Sequence, residues 1–322
     1  MKIAFFDSGI GGLSVLAEAL GRFSGAEFLY FADEDHVPYG TKSRAQIVQL
    51  SLDAVGFLVS RGADAVVVAC NTATSAAISE LRGAFSVPVI GMEPAVKLAA
   101  DSFGTRPTLL IATPLTIAGE KLARLVGRLE CETWSLALPR LVKFAQELEF
   151  DSPAVWAYLR EELAKFELER LGSLVLGCTH FNYFKDVLRE ILPSHVRIID
   201  GIDGTLNRLA SELGGGLKLA CGEDFSELAC KFDAEELDAG GGQNARGKSR
   251  QCEGSDESAR SEQGKKGGDE QGAEEYDGNS GKIYYPNGNS VEYFYSGIAL
   301  DAAQLHKIEV FLKRLDAMRE IN

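Results

Sequence analysis

Between residues 2 and 213 the chain alternates short continuous apolar runs with longer stretches in which apolar residues recur at helical spacing. Residues 2–6, 27–31, 65–69, 89–91, 108–112, 174–176 and 197–199 read as strands, because they are brief, mainly apolar and bounded by polar or turn-forming residues. Residues 44–60, 73–85, 118–129, 154–170 and 183–191 read as helices. Strands apolar on both faces and interleaved with helices predict an α/β architecture, a parallel sheet covered on both sides.

The pattern stops abruptly. Residues 239–281 contain no Leu, Ile, Val, Phe, Met or Trp and consist mainly of Gly, Ser, Gln, Glu, Asp, Lys and Arg. Such a segment buries too little apolar surface to offset its ordering entropy, so a disordered insertion is predicted, beginning loosely after Gly214-Gly215-Gly216. Order resumes with a strand at 291–295 and a helix at 302–318, whose Leu305, Ile308, Phe311, Leu312 and Leu315 share one face. The insertion therefore lies inside a domain.

Composition narrows the function classes. With 322 residues, 45% hydrophobic and 25% charged, the chain is long enough for two domains, each with a core. A formal charge of −14 argues against nucleic acid as substrate. No stretch reaches the length of a membrane helix, and Met1-Lys2 leads straight into the first strand without a basic, cleavable leader, so a cytoplasmic protein is expected. The six cysteines are scattered without CxxC pairs, which predicts reduced thiols, no disulfide framework and no metal site.

In parallel sheets, ligands sit at the carboxyl ends of the strands. There the sequence places Asp7-Ser8-Gly9-Ile10-Gly11-Gly12-Leu13-Ser14, then Asp33 and Pro38-Tyr39-Gly40, then Cys70-Asn71-Thr72-Ala73-Thr74, Glu93-Pro94, and Cys178-Thr179-His180. The two cysteine segments resemble each other: an apolar run, a small residue, Cys, and polar residues opening a helix. A thiol at a helix N-terminus is expected to have a depressed pKa, because backbone N–H groups and the helix dipole favour the thiolate. The alternative is that both are small buried core residues. The glycine loop imitates a dinucleotide fingerprint with Asp33 downstream, but Ser14 occupies the third glycine position and Asp7-Ser8 precede the glycines. The same glycines could instead admit a small carboxylate to the backbone, or simply form a tight turn. His36, His195 and His306 read as exposed, and Glu93 as a cap for the helix that Pro94 opens.

Inverting a carbon acid requires a proton removed from one face and another delivered to the opposite face. Two fixed groups that are thiolate when abstracting and thiol when donating suit both directions, given neighbours that manage their protons; Asp7 and His180 are the available neighbours. At these motifs, with Gly91-Met92-Glu93-Pro94, the chain resembles the glutamate racemases of the aspartate/glutamate racemase superfamily over most of residues 1–213, with a weaker return near 291–315. The resemblance implies two doubly wound parallel-sheet domains facing each other across a central cleft, the first formed by 1–95 plus 205–322 and the second by 96–204. It implies Cys70 and Cys178 as acid/bases assisted by Asp7 and His180, with substrate contacts at Ser8, Pro38, Tyr39, Gly40, Asn71, Thr72, Thr113, Thr116 and Thr179. It further implies a homodimer that uses no pyridoxal phosphate, metal or nucleotide and supplies D-glutamate for peptidoglycan.

Two motifs depart from the family pattern. Phe181-Asn182 stand where Tyr-Pro usually follows Cys-Thr-His, and Ala137-Leu138-Pro139-Arg140 replaces a motif resembling Ala-Cys-Pro-Leu. Three functions remain in play: racemisation of glutamate, racemisation of aspartate or another carbon acid at the same site, and non-catalytic binding of an amino acid by a regulator.

Overall fold

The computed structural model describes residues 1–219 except 93, 104, 105 and 130, together with 275–277, 282–285, 287–300, 302–318 and 321. Its first half runs β1 (Lys2–Asp7), α1 (Leu13–Arg22), β2 (Phe23–Ser24), β3 (Glu27–Ala32), α2 (Arg44–Ser60), β4 (Ala65–Val68), α3 (Asn71–Ala84), β5 (Val89–Gly91) and α4 (Val96–Phe103). The next stretch is β6 (Thr108–Ala112), α5 (Pro114–Ala118), α6 (Glu120–Val126), β7 (Thr133–Ala137), α7 (Pro139–Gln146), α8 (Pro153–Leu163), β8 (Ser173–Gly177), α9 (Lys185–Ile191) and β9 (Arg197–Ile199). After α10 (Ile202–Leu213) and β10 (Lys218–Leu219) come β11 (Glu275–Asp277), β12 (Lys282–Tyr284), β13 (Ser290–Tyr295), β14 (Ile298–Ala299) and α11 (Ala302–Met318).

Two sheets organise most of these elements, and β2 and β10 form a separate antiparallel pair. The larger has the order β11-β12-β13-β3-β1-β4-β5, with β14 on β13, and the smaller is β7-β6-β8-β9. β13, β3, β1, β4 and β5 are mutually parallel, and every pair in the smaller sheet is parallel. Each sheet thus contains a first strand flanked by its successor on one side and by later strands on the other. The chain reverses its direction of progress beside β1 in one sheet and beside β6 in the other, and the crevice that opens at such a point is where α/β sheets bind ligands.

Both faces of the strands are covered, as their continuous apolar character requires. Ile3 and Phe5 of β1 share one buried cluster with Leu109, Ile111, Leu174 and Leu176 of the smaller sheet, so the two sheets are joined by common apolar packing. Ala4, Phe6, Val66 and Val68 point the other way, against α2 and α3. Leu110, Ala112 and Val175 form a third cluster with Val96 and Leu122.

Several predicted elements change their limits. The helix expected over 118–129 is α6, which starts at Glu120 and ends at Val126; a separate short helix, α5, precedes it, and the two meet at Gly119, where a Cβ would stand 2.5 Å from Ser75 Oγ. The helix expected over 154–170 ends at Leu163, and the one expected from 183 begins at Lys185, after a six-residue 3-10 turn, Thr179–Phe184. The disordered insertion expected over 239–281 lies outside the described residues except at β11, which pairs with β12. Cys221, Cys230 and Cys252 also lie outside them.

Candidate active site

Segments that follow β1, β3, β4, β6, β7 and β8 converge on one cavity. The larger sheet contributes Ser8, then Pro38, Tyr39, Gly40 and Thr41, then Cys70, Asn71 and Thr72 at the start of α3. The smaller sheet contributes Thr113 and Pro114 at the head of α5, Pro139 and Val142 of α7, and Cys178, Thr179 and His180. Both cysteines, 108 residues apart in the chain (178 − 70), therefore open onto the same space.

Cys70 caps α3: its Sγ accepts the Ala73 N–H at 3.4 Å and donates to Ser8 Oγ at 3.4 Å. Ser8 Oγ in turn donates to Asp7 Oδ1 at 3.5 Å, so Asp7 reaches Cys70 through a hydroxyl and makes no direct bond to it. Asp7 also accepts the Gly9 N–H at 3.0 Å and the Thr179 hydroxyl at 3.1 Å, which ties the end of β1 to the residue after Cys178. His180 places Nδ1 4.0 Å from Cys178 Sγ.

Electrostatics overturn the expected depressed thiols. Burial pushes Cys70 up to about 12, aided by the charge of Asp7, despite the hydrogen bonds from Ser8 and Ala73. Cys178 is likewise raised well above its ordinary value by burial, then by Cys70. Removal from water outweighs the helix terminus here because a thiolate loses its hydration on all sides. At Cys178 the backbone N–H groups of His180 and Phe181 in the following 3-10 turn favour the thiolate, and burial outweighs them. Burial also moves the partners: Asp7 is raised to about 7, opposed by its hydrogen bonds, and His180 is lowered to about 4, which keeps its imidazole neutral at physiological pH.

The hydroxyls form a second layer. Thr72 Oγ1 lies 2.9 Å from Thr113 Oγ1 and 3.3 Å from Thr116 Oγ1, and the last two are 3.0 Å apart. Thr116, the third corner of this triangle, is buried and does not line the cavity, so it supports Thr72 and Thr113 in place of a direct substrate contact.

The Tyr39 hydroxyl donates to Asp33 Oδ2 at 2.6 Å, while Asp33 Oδ1 meets His36 Nδ1 at 2.8 Å and the Ser296 hydroxyl at 3.2 Å. Asp33 thus holds the cavity wall, a different task from the ribose contact of a dinucleotide site. His36 is half-exposed, as expected, His195 meets the Leu171 carbonyl at 3.1 Å, and Glu93 and the His306 side chain lie outside the described residues.

The glycine loop also differs from a carboxylate cradle. Gly9, Gly11 and Gly12 do not line the cavity. A Cβ on Gly11 would strike His180 Nδ1 and Thr179 Oγ1, and one on Gly12 would lie 2.6 Å from Asp7 Cβ. Missing side chains here make room for the groups flanking the thiols.

Sequence reasoning missed Thr41, Pro114, Pro139, Val142 and the α7 residue Gln146. A signal existed for α7: Pro139 at its start is followed by Leu141, Val142, Phe144 and Ala145 at helical spacing. The departures from the family pattern sit behind the cavity. Leu138 and Phe181 are fully buried, Asn182 Nδ2 donates to the Thr179 carbonyl at 3.1 Å, and the Arg140 guanidinium lies 4.7 Å from the centre of the Tyr158 ring.

Comparison with known proteins agrees with this geometry. The Asp/Glu/Hydantoin racemase family profile matches residues 13–209. The chain is 62% identical to the glutamate racemase of Campylobacter concisus over 218 residues, 66% of this chain and 83% of that protein. It is 55% identical to the glutamate racemase of Campylobacter curvus over 248 residues, 74% of this chain and 93% of that protein. Among solved structures it resembles the Escherichia coli glutamate racemase in complex with L-glutamate and the activator UDP-MurNAc-ala, with a TM-score of 0.61 and 29% identity over 69% of this chain and 85% of that one. With profile, relatives and fold in agreement, this chain belongs to the Asp/Glu/Hydantoin racemase family.

Proposed function

We propose that the chain is a glutamate racemase, an isomerase that interconverts L- and D-glutamate by proton transfer between two thiols. The observation that carries this reading is the opening of Cys70 and Cys178 onto one cavity, each beside a buried titratable partner. Relatives named glutamate racemase support the choice of glutamate. Hydroxyl and amide groups of Ser8, Asn71, Thr72, Thr113 and Thr179 are suited to holding carboxylates, and Pro38, Tyr39 and Gly40 form the adjoining wall.

Resting thiols buried this deeply are protonated. The ammonium group of a bound amino acid brings an opposite charge into the cavity and favours a thiolate. The Cys70 proton passes by way of the Ser8 hydroxyl to Asp7, whose carboxyl titrates near neutrality because it is buried. The Cys70 thiolate then takes the α-proton while the Cys178 thiol delivers its own to the opposite face, leaving one thiol and one thiolate with roles exchanged. In the reverse direction Cys178 is the base and His180 is the neighbour of its sulfur.

Cys70→Ser and Cys178→Ser are each expected to lower racemisation by about 10²–10⁴-fold. The parent should exchange the α-hydrogen of either glutamate enantiomer with solvent deuterium. Full activity in either variant sinks the two-thiol reading, and preferential turnover of aspartate in a panel of enantiopure acids sinks the choice of substrate. Within the same proposal the enzyme is a cytoplasmic homodimer that supplies D-glutamate for peptidoglycan. Among the described residues no helix is long and apolar enough to cross a membrane; sedimentation of the purified chain checks the dimer.

A further inference from the structure

Gln146, the last residue of α7, belongs to none of the sequence motifs and does not line the cavity, yet it touches the site from behind. Its amide nitrogen lies 3.2 Å from Glu34 Oε1 and 3.0 Å from His180 Nε2. Glu34 sits in the helical turn Glu34–His36 after β3, so a residue of the larger sheet's loop meets one of the smaller sheet's helix. The close approach depends on Gly9, where a Cβ would stand 2.5 Å from the Gln146 amide nitrogen and 2.8 Å from Glu34 Oε1.

Proton counting gives the consequence. Burial raises the Glu34 carboxyl above its ordinary range and the hydrogen bond from Gln146 opposes that rise; as a carboxylate it only accepts, so the group Gln146 turns toward it is its NH₂. The second hydrogen of that NH₂ is then directed at His180 Nε2, which must accept. A neutral imidazole with an accepting Nε2 carries its proton on Nδ1. We infer that Glu34 and Gln146 are positioning residues that fix the tautomer of His180, holding its proton on Nδ1, the nitrogen that faces Cys178 Sγ. His180 then presents an N–H donor to a thiolate at Cys178 without becoming charged. Glu34 supplies the orientation: without its carboxylate the amide is free to turn its oxygen toward the ring, which would draw the proton to Nε2 and leave a lone pair facing the sulfur. The neutral ring is consistent with burial, which lowers its pKa.

The inference rests on the proposed racemase for its meaning, since it makes His180 the donor that serves Cys178, and one set of samples separates the two. The chain has four histidines, so ring ¹⁵N labelling gives a small spectrum in which a His180→Asn variant identifies the resonances of interest. In the intact parent, His180 is expected to show a protonated Nδ1 and an unprotonated Nε2. In Gln146→Glu, an acceptor of the same shape, the proton should appear on Nε2. Racemisation by that variant should fall about 10²-fold in kcat with KM little changed, a loss typical of one misplaced proton-transfer group. A parental ring protonated on Nε2 overturns the inference whether or not the chain racemises glutamate, and so do ring signals unaltered by Gln146→Glu. A displaced proton with undiminished turnover upholds the tautomer assignment and overturns the part given to His180 in catalysis. The parental spectrum decides the matter even where a variant fails to fold.

Discussion

Asp7 is enclosed at the end of β1, and its three hydrogen-bond donors do not restore what water would provide to a carboxylate. Its titration therefore moves from an ordinary 3.8 to about 7 on folding. Between those values the folded chain holds a proton that the unfolded chain has lost, so stability falls as the pH rises through this window. The ionised, buried group costs the fold on the order of 4 kcal/mol above pH 7. Asp7→Asn removes the titration. Its melting temperature is expected to gain on the parent far more at pH 8 than at pH 5, by scanning calorimetry at both. An equal difference at the two pH values would show that Asp7 is not titrating as its burial demands. The raised thiols follow the same logic, and no sequence motif announces it: Cys70 stands at a helix N-terminus, where a depressed pKa is the natural expectation, but the number of atoms that pack around its sulfur is decided elsewhere in the chain.

At the level of elements, the site depends on small residues just before or after the strand ends. Gly177 closes β8 ahead of Cys178, and a Cβ there would stand 2.8 Å from Leu110 Cδ1, 2.9 Å from Ala112 Cβ and 3.1 Å from the Ile111 carbonyl. The last contact is backbone within the sheet and cannot turn aside. Gly177→Ala is expected to destabilise the chain by about 1–3 kcal/mol in urea unfolding and to depress turnover, because the strand that presents the thiol must shift. The strands themselves were legible, since β1, β3, β5, β6 and β9 coincide with the apolar runs to within a residue. Helix limits were less so. The helix expected from residue 118 starts only after Gly119, which packs so close to Ser75 of α3 that a Cβ would stand 2.5 Å from its hydroxyl, and a periodic pattern carries no record of that distant neighbour. β7 escaped because its burial is partial, with Ser135 exposed, which leaves no continuous apolar run to find.

Across the whole molecule, the turn bearing Thr179 and His180 is also held by the last helix. Arg314 of α11 grips the Asp186 carboxylate at 2.8 and 2.7 Å and donates from Nε to the Tyr183 carbonyl at 3.1 Å. Arg314→Ala is expected to lower stability by about 1–2 kcal/mol, the pair being partly exposed, and to reduce kcat measurably in a coupled racemisation assay. Unchanged kcat would detach α11 from the site. By contrast, removal of residues 239–270, which carry no large aliphatic residue, should leave kcat/KM within about twofold, because such a segment brings almost no apolar surface to a core. A large loss would give this charge-balanced, glycine-rich stretch a role in turnover.

The sequence by itself determined that β-strands and helices alternate, that the strands are buried on both faces, and that Asp7, Cys70, Cys178 and His180 stand at or just past strand ends. Periodicity and composition are local properties, and chain order preserves them. Only the tertiary structure decided that both sulfurs open onto one cavity, that Asp7 reaches Cys70 through Ser8 and is bound by Thr179, and that Gln146 and Glu34 meet behind His180. Those facts depend on which distant atoms exclude water from a given group, and desolvation sums over neighbours that the linear order of residues does not bring together.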